Sequence, residues 1–211
     1  MFIGVHLWFQ ILLLAFATVP AAAHLNALSG HLIDIVAQSD VAIVGVVTKP
    51  ASLSPGGKEL TIDVGSVLLG ELTEKTLKAQ TSVRLAMGER QVIFLKREPF
   101  GYRCVQPSGT RFQAAPEDDA DYRRVVNAIH IALQLPPDQQ IQPLRAALIP
   151  ALRSASMSLR YHAALDLGSL THSGHELTAE ERTQIEAIRS AAGVDPALRP
   201  ILDALLSPGG P

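Results

Sequence analysis

The sequence predicts an α+β chain, a small antiparallel β-barrel followed by an α-helical array. Three observations carry this reading. Five short apolar or alternating runs, separated by turns containing Gly and Pro, crowd residues 41–106, as short strands do in a barrel or sandwich. From residue 116 the apolar side chains recur instead at three- and four-residue intervals, the period of an amphipathic helix. The composition is globular, 47% hydrophobic and 18% charged over 211 residues, enough for one moderate core or two small ones. The predicted organisation is a signal peptide at 1–23, a β-rich unit with an N-terminal helix at 24–115, a helical unit at 116–207 and a disordered tail at 208–211.

Residues 7–19 (LWFQILLLAFATV) are apolar apart from Gln10 and Thr18, stop at Pro20 and lead into Ala21-Ala22-Ala23. This is the grammar of a cleavable signal peptide. The stretch is shorter than the roughly 20 apolar residues of a comfortable span. The expectation is an exported protein, periplasmic or secreted, whose mature chain does not span a membrane. The first six residues hold no Lys or Arg, so an uncleaved N-terminal anchor is the alternative. Cys104 is the only cysteine, which excludes an intramolecular disulfide and supplies no lipid-anchor thiol near Ala23.

After Ala23, Leu28, Leu32, Ile35 and Val36 fall at helical spacing and predict a short entry helix. The β-branched run 41–48 predicts a buried strand ending in a long loop at 49–58, where Pro50, Pro55, Gly56 and Gly57 cluster. Residues 59–69 alternate Leu60, Ile62 and Val64 with Glu59, Thr61 and Asp63, a half-buried strand with Gly65 as a bulge or bend. Further strands are predicted at 77–85, 91–96 and 102–106. The stretches SDVAIVGVV, VLLGEL, GERQVIFLKRE and GYRCVQ together resemble the OB-type barrel of netrin-like modules and tissue inhibitors of metalloproteinases, over residues 38–107. Those modules use several disulfides and a terminal cysteine, absent here, so the resemblance implies an OB-like barrel and not protease inhibition.

In the second half, Glu117, Asp118 and Asp119 open a helix whose N-terminus they complement. Val125, Val126, Ile129, Ala132 and Leu133 line one face of it, and Leu135-Pro136-Pro137 ends it. A second helix carries Leu144, Leu148 and Leu152, with Pro143 and Pro150 forecasting a kink or break. The segment 143–170, PLRAALIPALRSASMSLRYHAALDLGSL, with Arg160, Ala163, Ala164, Leu167 and Gly168 in its second helix, resembles a HEAT repeat, and implies a HEAT-like helical array. Helices are also expected at 178–192 and 195–206, the former capped by Thr178 and Glu181 and ended by Gly193. These helices need one another and the barrel to bury their apolar faces.

Residues 24–115 carry ten Lys/Arg against eight Asp/Glu, residues 116–211 eight against twelve, and the net charge is −2. No basic stripe exists to neutralise phosphates, so nucleic acid is not an expected partner. Cleavage after Ala23 makes His24 the first residue, whose amine and imidazole together form a copper chelate; further ligands would come from His31, His130 or another distant residue. A frayed terminus explains His24 as well. His172, His175 and Glu176 lie in a Gly-containing loop without the Glu placement of a zinc-protease helix. His130 and His162 read as helix-face residues. Cys104 reads as a core thiol, and Glu59 with Asp63 as a solvated strand face.

There is no Gly-x-Ser-x-Gly elbow or phosphate loop. The expected function is therefore a non-enzymatic binding or scaffold protein for another envelope or extracellular protein, with no cofactor and with Arg160 on the interaction surface. The alternative is an exported metal-binding protein or enzyme using His24 and copper.

Overall fold

The computed structural model describes residues 31–54, 57–82, 85–107, 110–191 and 193–207. The expected signal peptide, His24 and the tail 208–211 lie outside them. The chain is mixed α+β, a closed five-stranded barrel followed by helices.

The entry helix α1 is Leu32–Ala37, and β1 is Val41–Ser54, β2 Gly57–Leu69, β3 Thr76–Thr81, β4 Arg90–Glu98 and β5 Gly101–Cys104. The strands close in the order β1-β2-β3-β5-β4. β3 runs parallel to β5, and the other neighbours are antiparallel. This arrangement fits an OB-like barrel.

The proline- and glycine-rich stretch predicted as a loop is largely strand. β1 continues to Ser54 and pairs with β2 as far as Ser54 opposite Gly57. Register irregularities between Val47 and Lys49 and between Lys49 and Ser52 take up Pro50, which cannot donate to a regular ladder. At Gly65 the predicted bulge is present: Val44 faces Ser66 and Gly45 faces Val64, leaving Gly65 unmatched. β3 stops at Thr81 rather than 85, and β5 at Cys104 rather than 106. Beyond β5, the buried Gln106 side chain continues the ladder on β4, accepting from Phe94 N–H at 3.1 Å and donating to Val92 C=O at 3.2 Å.

β1 and β4 read as unbroken apolar runs because both their faces are covered. Val41, Ile43, Ile93 and Leu95 point into the barrel with Leu60, Ile62, Leu77 and Cys104. Ala42, Val44, Val92 and Phe94 point outward into a second core shared with the helices. One apolar cluster therefore joins the barrel wall to the helical half. Phe112 packs in it edge-on to Phe94, ring centroids 5.2 Å apart.

The helices are α2 (Asp119–Leu133), α3 (Ile141–Ala151), α4 (Met157–His172), α5 (Ala179–Ser190) and α6 (Arg199–Leu206). A 3-10 turn, Pro116–Asp118, leads into α2. Both prolines lie near the ends of α3. Pro143 sits in its first turn, where N–H groups lack helical acceptors anyway, and Pro150 is its penultimate residue, so the helix ends beside it. The Thr178–Glu181 capping box forms as expected. α5 ends at Ser190 with Ala191 as its cap, and Gly193 takes φ +86° two residues later. α1 packs on α2 and α4 through Leu32, Ile35 and Val36. Among the described residues no helix is long and apolar enough to cross a membrane.

Candidate functional site

A six-residue helix such as α1 cannot satisfy its own first N–H groups, and no side chain next to it in sequence caps it. The cap comes from α4. Asp166, fully buried, accepts from Ile33 N–H at 3.0 Å, and its other oxygen lies 2.6 Å from His31 Nδ1. The hydrogen bond to Asp166 raises the His31 imidazole above its ordinary range, against the opposing effect of burial. Burial pushes the Asp166 carboxyl up, opposed by His31, and burial likewise raises Asp34. His31 thus clasps the N-terminus of α1 to a helix 135 residues away. Nothing in the sequence marks that pair.

A second buried charge secures the α4–α5 connection. Arg145 of α3, 2% exposed, holds Glu181 at 3.0 Å and donates to the carbonyls of His175 and of Glu176, the latter at 2.7 Å. Glu181 in turn accepts from Thr178 N–H at 2.7 Å. His175 and Glu176 therefore contribute backbone oxygens while their side chains are exposed. His172 Nδ1 lies 2.7 Å from Gly168 O.

At the junction of barrel and helices, a polar cleft of about 500 Å³ lies between Arg90, Gln113, Glu117 and the first turn of α4. Several of its lining residues bond to the structure around it. Tyr122 donates to Gln113 C=O at 3.0 Å, Ser156 bonds to the Tyr122 hydroxyl at 3.2 Å and Ser158 donates to Arg111 C=O. Arg90 pairs with Asp119 at 2.7 Å. These bonds weld α2 and α4 to the barrel.

A second depression is apolar. Val125, Ala128, Ile131 and Ala132 of α2 and Pro143 and Ala146 of α3 line a groove of about 440 Å³. Ile131 is 62% exposed and Leu135 36%. Ile131 stands off the buried face of α2, a signal present in the sequence but missed by following that face alone.

The other predicted residues are dispersed. His130 bonds Gln134, and His162 stacks on Phe112 with ring centroids 4.2 Å apart. Glu59 pairs with Lys78 at 2.9 Å and Asp63 accepts from Thr76, so the two carboxylates each serve β3. Cys104 lies in the barrel core, where burial pushes its thiol up to about 12, as expected of an unreactive thiol. Arg160 is half-buried, with Nη2 3.5 Å from Met157 Sδ one turn back on α4. Among the described residues no group of three His, Cys, Asp or Glu is placed to hold a metal ion.

The chain matches no protein-family model and no curated protein.

Proposed function

We propose that this is an exported, non-enzymatic scaffold protein that binds another envelope or extracellular protein through its helical half. The observation that carries the reading is the apolar groove between α2 and α3 with Ile131 exposed beside it, in a helical half whose buried charges are occupied in holding the fold. Exposed apolar side chains gathered in a concavity are the mark of an interaction surface. The helical half is read as a HEAT-like array because α3 packs on α4 and α5 on α6, while α4 also meets α6 and α3 meets α5, the stacking of two helix pairs. The barrel is read as OB-like and serves as the base on which this array stands.

The test is native mass spectrometry of the protein released from its own host. A chain beginning at His24, free of metal and carrying a second protein at fixed stoichiometry, supports the reading. Stoichiometric copper that is lost on His24→Ala overturns it in favour of a metal-binding protein. A full-length mass overturns signal-peptide cleavage.

A further inference from the structure

We infer that α1 is a pH-sensitive latch, held down on α4 while His31 carries its proton and lifting more often as that proton is lost. The inference stands apart from the scaffold reading. A helix of six residues is shorter than the roughly 12–15 at which a helix stands alone in water, so α1 is helical only while it is docked. Leu32, Ile35 and Val36 hold it against α2 and α4 at every pH. The bonds at its C-terminal end, from Gln38 to Asp34 C=O and from Ser39 to Ile35 C=O, stay within its own turns. Its N-terminal end is tied to the body by Asp166, which takes both the Ile33 N–H at 3.0 Å and His31 Nδ1 at 2.6 Å.

Charge makes this tie titratable. Asp166 has no contact with solvent, and a carboxylate so placed is stable as an anion only beside a cation that bonds to it. His31 is that cation, and at 15% side-chain exposure it keeps a route by which its proton reaches water. The other charge acting on the pair is Asp34 of α1, a second carboxylate that adds to the excess of negative charge when His31 is neutral. The polar residues of α2 are engaged elsewhere: Asp119 pairs with Arg90, Arg124 with Asp121, Arg123 bonds Val67 C=O, Tyr122 bonds Gln113 C=O and His130 bonds Gln134. On α4, His162, one turn before Asp166, stacks on Phe112. Loss of the His31 proton therefore strands the Asp166 charge in the interior, and lifting α1 is the motion that hydrates it. The bond to Asp166 holds the His31 imidazole above its ordinary range, so its contribution is complete below its unfolded value, near about pH 6.5, and is lost as pH rises through the folded one. Burial raises Asp166 and Asp34 as well, which gives the same sign at lower pH. Acid closes the latch and alkali opens it.

Hydrogen exchange followed by NMR on the full chain tests this, read as protection factors so that the pH dependence of intrinsic exchange drops out. Between about pH 6 and about pH 9 the protection of the Ile33 and Ile35 amides is expected to fall at least about tenfold, as local opening becomes more frequent. The amides of Val92 and Phe94, bonded to Phe112 C=O and to the Gln106 side chain, report opening of the whole fold and are expected to change less. In His31→Gln the α1 amides are expected to be poorly protected and to show no pH dependence over this range. In Asp166→Asn the His31 imidazole is expected to titrate lower than in the native chain, followed by its ring proton shifts. Protection of α1 that stays constant across the range, that falls only in step with Val92 and Phe94, or that keeps its pH dependence in His31→Gln overturns the inference. A His31 titration unmoved by Asp166→Asn overturns it too. Circular dichroism checks that both variants fold, and if Asp166→Asn does not, the comparison with His31→Gln decides alone.

Discussion

Replacing Asp166 by Ala removes two interactions from a side chain that has no contact with solvent. One is the 2.6 Å bond to His31, shortened by charge, worth about 1.5–3 kcal/mol in this class. The other is the bond to Ile33 N–H, whose loss leaves a helix donor without its cap, a cost of about 1–3 kcal/mol. The sum matches the roughly 3–5 kcal/mol expected on breaking a buried pair. In a chain of this size it lowers Tm by roughly 10 °C. Asp166→Asn keeps one acceptor, enough for Ile33 N–H, and turns an NH2 donor toward His31 in place of the second oxygen, so it loses the charge-assisted bond and is expected to cost about 1–3 kcal/mol, less than Asp166→Ala.

Urea unfolding measures both variants, and hydrogen exchange of the α1 amides locates the loss. His31 carries a raised pKa in the fold, so its contribution is complete below its unfolded value and disappears as pH rises through the folded one. The stability gap between the native chain and His31→Gln is therefore larger near about pH 6 than near about pH 9. Asp166, also raised, acts in the same direction at lower pH. An Asp166→Ala variant that loses less than about 1 kcal/mol, or a His31/Asp166 double-mutant cycle with no coupling, would refute the clasp.

Arg145→Ala removes the cation that faces Glu181 and the donor to the carbonyls of His175 and Glu176; urea melts are expected to show a loss of about 3–5 kcal/mol, with limited proteolysis cutting first near residue 175. Gly70→Ala puts a Cβ 2.4 Å from Asp40 O on a residue at φ +74°. A cost of about 2 kcal/mol or more is expected from strain and clash together, read from the midpoint of unfolding. Cys104, with its thiol raised to about 12, is expected to react with a thiol reagent near neutral pH only at the rate of unfolding, and fast labelling in native buffer would contradict its place in the barrel core.

The parts of this molecule legible in advance are those whose cause is local. The alternation in β2 and the 3.6-residue period of α2 place strand and helix with little help from elsewhere, and the Thr178–Glu181 pair announces its own cap. Gly65 was readable as a bulge because an isolated glycine in an alternating strand has few other uses. Local signals misled where tertiary pairing was stronger. Pro50 and the glycines after it argue for a loop, yet pairing with β2 carries β1 through to Ser54.

The sequence by itself determined that a barrel precedes helices and that both need a shared core, because hydrophobic periodicity is a property of neighbouring residues. Only the tertiary structure decided what the charged and polar residues do. His31 meets Asp166 across 135 positions, Arg145 meets a loop 30 residues on, and Ile131 is left beside an open groove because α2 and α3 cover only part of each other. A buried charge is stable only where a partner reaches it, and which partner reaches it depends on how the chain folds back, which no local pattern encodes.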